Sequence, residues 1–196
     1  MPGLLRKGRW ACVLTAFFSV VVFSQEKIQL CAACHGPEGN SPDPKIPSIA
    51  GQPKLFIETQ LVLIREELRK SEQMLPIVRG MKDPEIVKLA EHFSKLPSKG
   101  METGAADQAL LQRGSQKAKE LRCGVCHTAD FGGQKQVPRL AAQREAYLEA
   151  EMRAYRDGKR SGGDTIMAAT LYGVSDADIR ALAHFLARSK APAAAR

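Results

Sequence analysis

Cys123-Gly124-Val125-Cys126-His127 is the stretch on which the reading of this 196-residue chain turns, and Cys31-Ala32-Ala33-Cys34-His35 is its earlier counterpart. A Cys-x-x-Cys pair alone fits a zinc half-site, a redox dithiol or a disulfide, but a histidine directly after the second cysteine narrows the chemistry to covalent haem attachment. On one helical turn the two thiols add to the two vinyl groups of one porphyrin, and the next residue turns its imidazole onto the iron. In a chain with five cysteines and four histidines, one such pentapeptide arises by chance on the order of once per several hundred chains. Two are far rarer. A zinc ion shared by the two pairs would have to bridge roughly ninety residues of sequence and would leave both histidines surplus. A thioredoxin-like dithiol needs a strand leading into the motif, and neither copy follows a β-branched, alternating run.

Outward from the motifs, the N-terminus reads as an export signal, residues 1–24. Arg6, Lys7 and Arg9 precede an apolar run from Trp10 to Phe23 that is short for a membrane span. Cleavage is expected after Ser24; left uncleaved, the leader would tie the chain to the membrane. Cys12 falls inside the leader, so the four remaining cysteines, Cys31, Cys34, Cys123 and Cys126, are all used by haem and no disulfide is needed. The formal charge of +8 falls by three when the leader is removed, and the propionates of two haems bring the holoprotein near neutrality. A basic pI therefore gives no argument for nucleic acid as a partner.

Aligning the two pentapeptides exposes a repeat over the rest of the chain. Ile46-Pro47-Ser48-Ile49-Ala50-Gly51-Gln52 answers to Val137-Pro138-Arg139-Leu140-Ala141-Ala142-Gln143, and Leu55-Phe56-Ile57-Glu58 to Ala146-Tyr147-Leu148-Glu149. Each of the latter opens a helix-like run, ending near Arg69 and Arg160, with Gly158 as a C-cap in the second. Ser175 and Asp178 form a capping-box pattern ahead of Ile179, Leu182 and Leu186, and Asp83-Pro84-Glu85 serves the same purpose in the first copy. No alternating strand is apparent. Pro97 to Asp107 has linker composition, dividing a domain at 25–98 from one at 107–190 with 99–106 between them. The expected class is all-α: two small helical bundles, each wrapped round one covalent haem that completes a core too small to stand alone. The short linker tethers the modules closely enough for an electron to pass between haems, and the insertion Gln134-Lys135-Gln136 is expected in a polar contact between them.

The sixth iron position is open to methionine, a second histidine, or nothing. Met74 and Met167 follow their haem histidines at nearly the same spacing, whereas the spare histidines do not coincide: His92 matches Phe185 and His184 matches Glu91. The register favours methionine at both irons, against the plainer reading that these methionines only fill space. Met81, the rival in the first copy, matches Val174, a packing position. The iron ligands expected are thus His35 with Met74 and His127 with Met167. No residue is expected to be catalytic.

The pattern resembles the class I c-type cytochromes, in particular the tandem di-haem cytochrome c4 family. The resemblance covers residues 26–188 and rests on the two pentapeptides, Gly39-Asn40-Ser41, the Ile-Ala-Gly-Gln segment after Pro47, Tyr155-Arg156-Asp157-Gly158-Lys159-Arg160 and Val174-Ser175-Asp176-Ala177-Asp178-Ile179. It implies two mono-haem domains related by a pseudo-twofold, in the periplasm, with the Pro47 and Pro138 carbonyls accepting the proton of each proximal imidazole. Two departures stand out. Only a few residues would precede Cys31 after cleavage, and Thr128 replaces Gly36.

Histidine and methionine keep iron six-coordinate in both oxidation states, so a one-electron carrier in a respiratory chain is expected. Its donor would be a quinol-oxidising complex or a dehydrogenase, and its acceptor a terminal oxidase. The alternative is a di-haem subunit of a dehydrogenase oxidising sulfide or an alcohol. A haem enzyme such as a peroxidase or thiosulfate dehydrogenase would need an exchangeable iron site.

Overall fold

The computed structural model describes the backbone of residues 15–162 and 165–190, with side chains from Gln25 onward. Among the described residues it is helical with no strand, only an isolated bridge between Gln134 and Val137, in agreement with the all-α expectation. The first half contains α1 (Thr15–His35), α2 (Lys54–Arg65), α3 (Leu75–Val78) and α4 (Asp83–Lys95). The second contains α5 (Gln108–Glu120), α6 (Cys123–Cys126), α7 (Glu145–Arg156), α8 (Thr165–Leu171) and α9 (Asp176–Arg188). The start of the expected leader, Cys12 included, lies outside the described residues, and α1 runs through the expected cleavage point. No described helix is long and apolar enough to cross a membrane.

Each half has its own apolar cluster. Ile57 and Ile64 of α2 meet Ile86, Leu89 and Phe93 of α4 in the first; Leu148 and Met152 of α7 meet Ile179, Leu182 and Leu186 of α9 in the second. Spacings of three and four place these side chains on one stripe of each helix. The long helices start where local chemistry satisfies their free N–H groups. Asp107 accepts from Ala109 N and Leu110 N at 2.9 and 3.1 Å ahead of α5, and Ser175 Oγ accepts from Asp178 N at 3.1 Å ahead of α9. Before α4 the box is half formed, with the Glu85 carboxylate accepting from Lys82 N at 2.8 Å.

α2 ends at Arg65, a turn earlier than its sequence pattern suggests, and α7 ends at Arg156, just ahead of Gly158, the residue expected to cap it. Left-handed residues at matching places stop them: Glu67 at φ 58° and Gly158 at φ 66°. The following amides fold back, Arg69 N to Leu63 O at 2.8 Å and Lys159 N to Ala154 O at 2.8 Å. This closes the orphan carbonyls of each helix end. In the second half α5 crosses α9 at Gly114, where a Cβ would lie 2.1 Å from the Ala181 carbonyl oxygen. That approach is open only to glycine.

The linker is held on both sides rather than loose. Asn40 accepts from Lys99 N at 2.8 Å and donates to Pro97 O at 3.0 Å. Further on, Glu102 accepts from Glu145 N at 3.1 Å and pairs with Arg144 at 3.4 Å, while Asp107 N donates to His184 Nε2 at 3.1 Å. The halves meet through a reciprocal set of bonds. Gln143 bonds both polar groups of the Ser48 backbone, and Gln52 bonds both of Arg139, the residue matching Ser48. Tyr147 N donates to Pro44 O at 3.1 Å, Arg160 reaches Gln60 at 3.2 Å, and Arg69 lies 3.8 Å from Glu151. A pseudo-twofold axis produces this exchange of matching residues, because each half offers the other the same surface.

Candidate haem-binding sites

The three residues of each attachment motif fall on one turn of helix, as the chemistry requires. Cys31, Cys34 and His35 form the last turn of α1; Cys123 and Cys126 make up α6, with His127 as its C-cap. In both copies the first cysteine packs against the half's apolar cluster and the second is exposed. Burial pushes the Cys31 thiol up to about 11 and raises that of Cys123 as well. All four are free of disulfides, and no group of three or more His, Cys, Asp or Glu side chains converges among the described residues.

The histidines carry the decisive geometry. His35 Nδ1 lies 2.8 Å from Pro47 O, and His127 Nδ1 lies 2.8 Å from Pro138 O. A carbonyl can only accept, so each Nδ1 bears the proton and each Nε2 keeps its lone pair. Burial, with 7 % of His35 and 4 % of His127 exposed, lowers both pKa values, against the raising effect of the carbonyl bond. Neutral imidazoles of fixed tautomer, oriented by a backbone carbonyl, are the donors that haem iron takes. The residues present fit the group.

Met74 is the N-cap of α3 and Met167 lies within α8. Each is half-buried and packs against the same apolar cluster as its half's first cysteine. Met81, the sequence rival, is buried in the first cluster and thus committed to packing. His184 has both ring nitrogens engaged, Nδ1 with Glu145 at 3.0 Å and Nε2 with Asp107 N. His92 packs edge-on to Phe93, with ring centroids 5.0 Å apart.

One expected contact lies elsewhere. The segment Gln134–Gln136 turns back on its own half, closed by Gln134 N to Val137 O at 2.9 Å and by the Gln134 side chain on Cys126 O at 3.3 Å. The polar contact between halves is built instead by Gln52, Gln143 and Arg139. Arg139 is 1 % exposed and spans the junction, donating to Ala50 O at 3.0 Å and to Ala141 O, while its Nε has no partner. Burial pushes its guanidinium down to about 10, so it stays charged at neutral pH. The only sequence signal for this junction was the glutamine repeated in register.

Comparison with known proteins agrees with this arrangement. A family model described as Cytochrome c matches residues 111–190. Cytochrome c4 of Pseudomonas aeruginosa is 31 % identical over 83 % of this chain and 85 % of its own length. The thiosulfate dehydrogenase electron acceptor of Thiomonas intermedia is 32 % identical over 80 % of this chain and 77 % of its own length. The crystal structure of reduced recombinant cytochrome c4 from Pseudomonas stutzeri superposes with a TM-score of 0.77 at 28 % identity, covering 86 % of this chain and 98 % of that one. Two attachment turns, two oriented imidazoles, an all-helical fold and these relatives lead to one conclusion: the chain belongs to the cytochrome c4 family of di-haem electron carriers and binds two covalent haem c groups.

Proposed function

We propose that this chain is a periplasmic one-electron carrier of a respiratory chain, exported by residues 1–24 and built as domains 25–98 and 107–190 joined by 99–106. Cys31 and Cys34 hold the first haem by thioether bonds and Cys123 and Cys126 the second. The irons are ligated by His35 with Met74 and by His127 with Met167. Bound haem supplies the one-electron couple. The chain fixes each imidazole through a proline carbonyl, supplies a thioether that favours ferrous iron, and packs apolar side chains around each site. The observation that carries this reading is the paired Nδ1 bond to Pro47 and Pro138, which leaves Nε2 free in both copies. An intact mass with two haems, and an oxidised spectrum with the weak near-infrared band of iron–methionine bonding, test it. Loss of that band at both haems refutes the methionine assignment.

A second reading is favoured by the relative from Thiomonas intermedia, named as a thiosulfate dehydrogenase electron acceptor. In it the same sites accept electrons from a dehydrogenase of reduced sulfur compounds. Co-purification with such an enzyme at fixed stoichiometry would distinguish this from a free carrier.

A further inference from the structure

The two proximal histidines are not held by their own halves alone. His35 donates to Pro47 O, and the N–H of that same peptide unit, Ser48 N, donates to Gln143 Oε1 at 2.7 Å, while Gln143 Nε2 returns to Ser48 O at 2.9 Å. In mirror fashion His127 donates to Pro138 O, Arg139 N donates to Gln52 Oε1 at 2.9 Å, and Gln52 Nε2 returns to Arg139 O at 3.0 Å. Each chain of bonds begins on a haem histidine and ends on a glutamine of the opposite half.

We propose that Gln52 and Gln143 are positioning residues, each setting the donor strength of the proximal histidine in the other half; this rests on His35 and His127 being iron ligands. Amide resonance links the two ends of a peptide unit. An acceptor on the N–H draws its proton, moves charge to the carbonyl oxygen and makes that oxygen a better acceptor for Nδ1–H. The imidazole gains anionic character, donates more strongly to ferric iron and lowers the potential. Ser48, Gln52, Arg139 and Gln143 are all buried, so water does not replace a lost acceptor. The two relays differ in stiffness. Gln143 Oε1 also accepts from Arg144 N at 2.9 Å, whereas Gln52 is followed by Pro53, which has no N–H. The relay to His35 is therefore the firmer one.

The test uses the full di-haem protein with Gln143→Leu and Gln52→Leu. Haem methyl signals assigned to each half follow the two redox equilibria, and the Nδ1 protons of His35 and His127 report hydrogen-bond strength. Gln143→Leu should raise the potential of the first haem by about threefold in its redox equilibrium, roughly 28 mV at about 59 mV per tenfold. It should also move the His35 Nδ1 proton upfield. Gln52→Leu should do the same, more weakly, at the second haem and His127. Gln143→Glu, which retains an acceptor, should return the first haem toward or beyond its original value. Should the leucine variants not fold, a downfield His35 Nδ1 proton in Gln143→Glu with His127 unmoved is the deciding result. A shift confined to the substituted half, an equal shift at both haems, or none at all overturns the inference. The spectrum of the unsubstituted protein keeps this separate from the ligand assignment, since lost iron–histidine ligation there would fail that reading instead.

Discussion

The two attachment motifs carry the same chemistry on different backbones. Cys31 to His35 end a continuous 21-residue helix. Cys123 to Cys126 form a separate single turn, set off from α5 by Arg122 at φ 56°. After the histidine, the first copy turns on Gly36 at φ 84° and the second on Thr128 at φ 69°. Threonine is costly there, and its hydroxyl offsets the cost by accepting from Gly132 N at 3.0 Å and bonding Asp130 at 2.6 Å. Attachment constrains only the spacing of two thiols and an imidazole. The surrounding chain is free to differ, and in the second half it uses that freedom to swing α5 across α9.

A second pair of matching places differs in charge. Lys54, Glu91 and Lys95 in the first half answer to Glu145, His184 and Arg188 in the second. Glu91 pairs with Lys95 at 2.6 Å in the open, whereas Glu145 lies beneath the linker, bonded by His184 and Arg188. The carboxylate has changed helices, and the linker has covered it.

The largest way to break the comparison is Gly114→Val. Its side chain meets the Ala181 backbone of α9, and a loss of roughly 3 kcal/mol or more is expected in the second half. Calorimetry should then show the second half melting first while the haem spectrum of the first persists. Gly36→Ala comes next. A Cβ there lies 2.3 Å from Asn40 O in a left-handed backbone, for a cost of about 2 to 3 kcal/mol. Thr128→Ala should cost only about 1 kcal/mol, through its hydroxyl bonds. Chemical denaturation that gave equal losses at 36 and 128 would contradict the idea that the two turns are stabilised differently.

Smaller effects sharpen the contrast. Arg139→Met removes a buried cation from the loop that holds His127. It should lower the second haem's potential by on the order of tens of millivolts, more than the first, because a nearby positive charge favours ferrous iron. Spectroelectrochemistry resolves the two. Acid should act unequally as well. Burial raises the Glu145 pKa, but bonds from Arg188 and His184 outweigh it and leave the carboxyl below its ordinary value. Its contribution is then complete above the ordinary glutamate pKa of about 4.3 and is lost as pH falls through the depressed value. Amide exchange at Asp107 should rise in that window while the helix carrying Glu91 remains protected.

Much of this was legible in the letters. The pentapeptides name the cofactor, the spacings of Ile179, Leu182 and Leu186 give the α9 stripe, and the common register of Met74 and Met167 separates them from buried Met81. The end of α2 lies a turn before its pattern runs out because Glu67 gives no sign that it will take a left-handed conformation, whereas Gly158 marks the end of α7. The linker composition is that of a loop and gives no sign of its anchors, Asn40, Arg144 and His184, which are distant in sequence. The inserted Gln134–Gln136 points in sequence to a junction that Gln52 and Gln143 make instead, since a repeated polar residue does not say whether it faces its own half or the other.

The distance along the chain between Ser48 and Gln143, 95 positions, also sets an order of events. A polypeptide synthesised from its N-terminus delivers the first motif, its proline loop and its helices before residue 143 is made. The first half therefore spends its early life with the Ser48 backbone unpaired. Its environment changes once more, late, when the second half arrives and the first haem acquires its final setting.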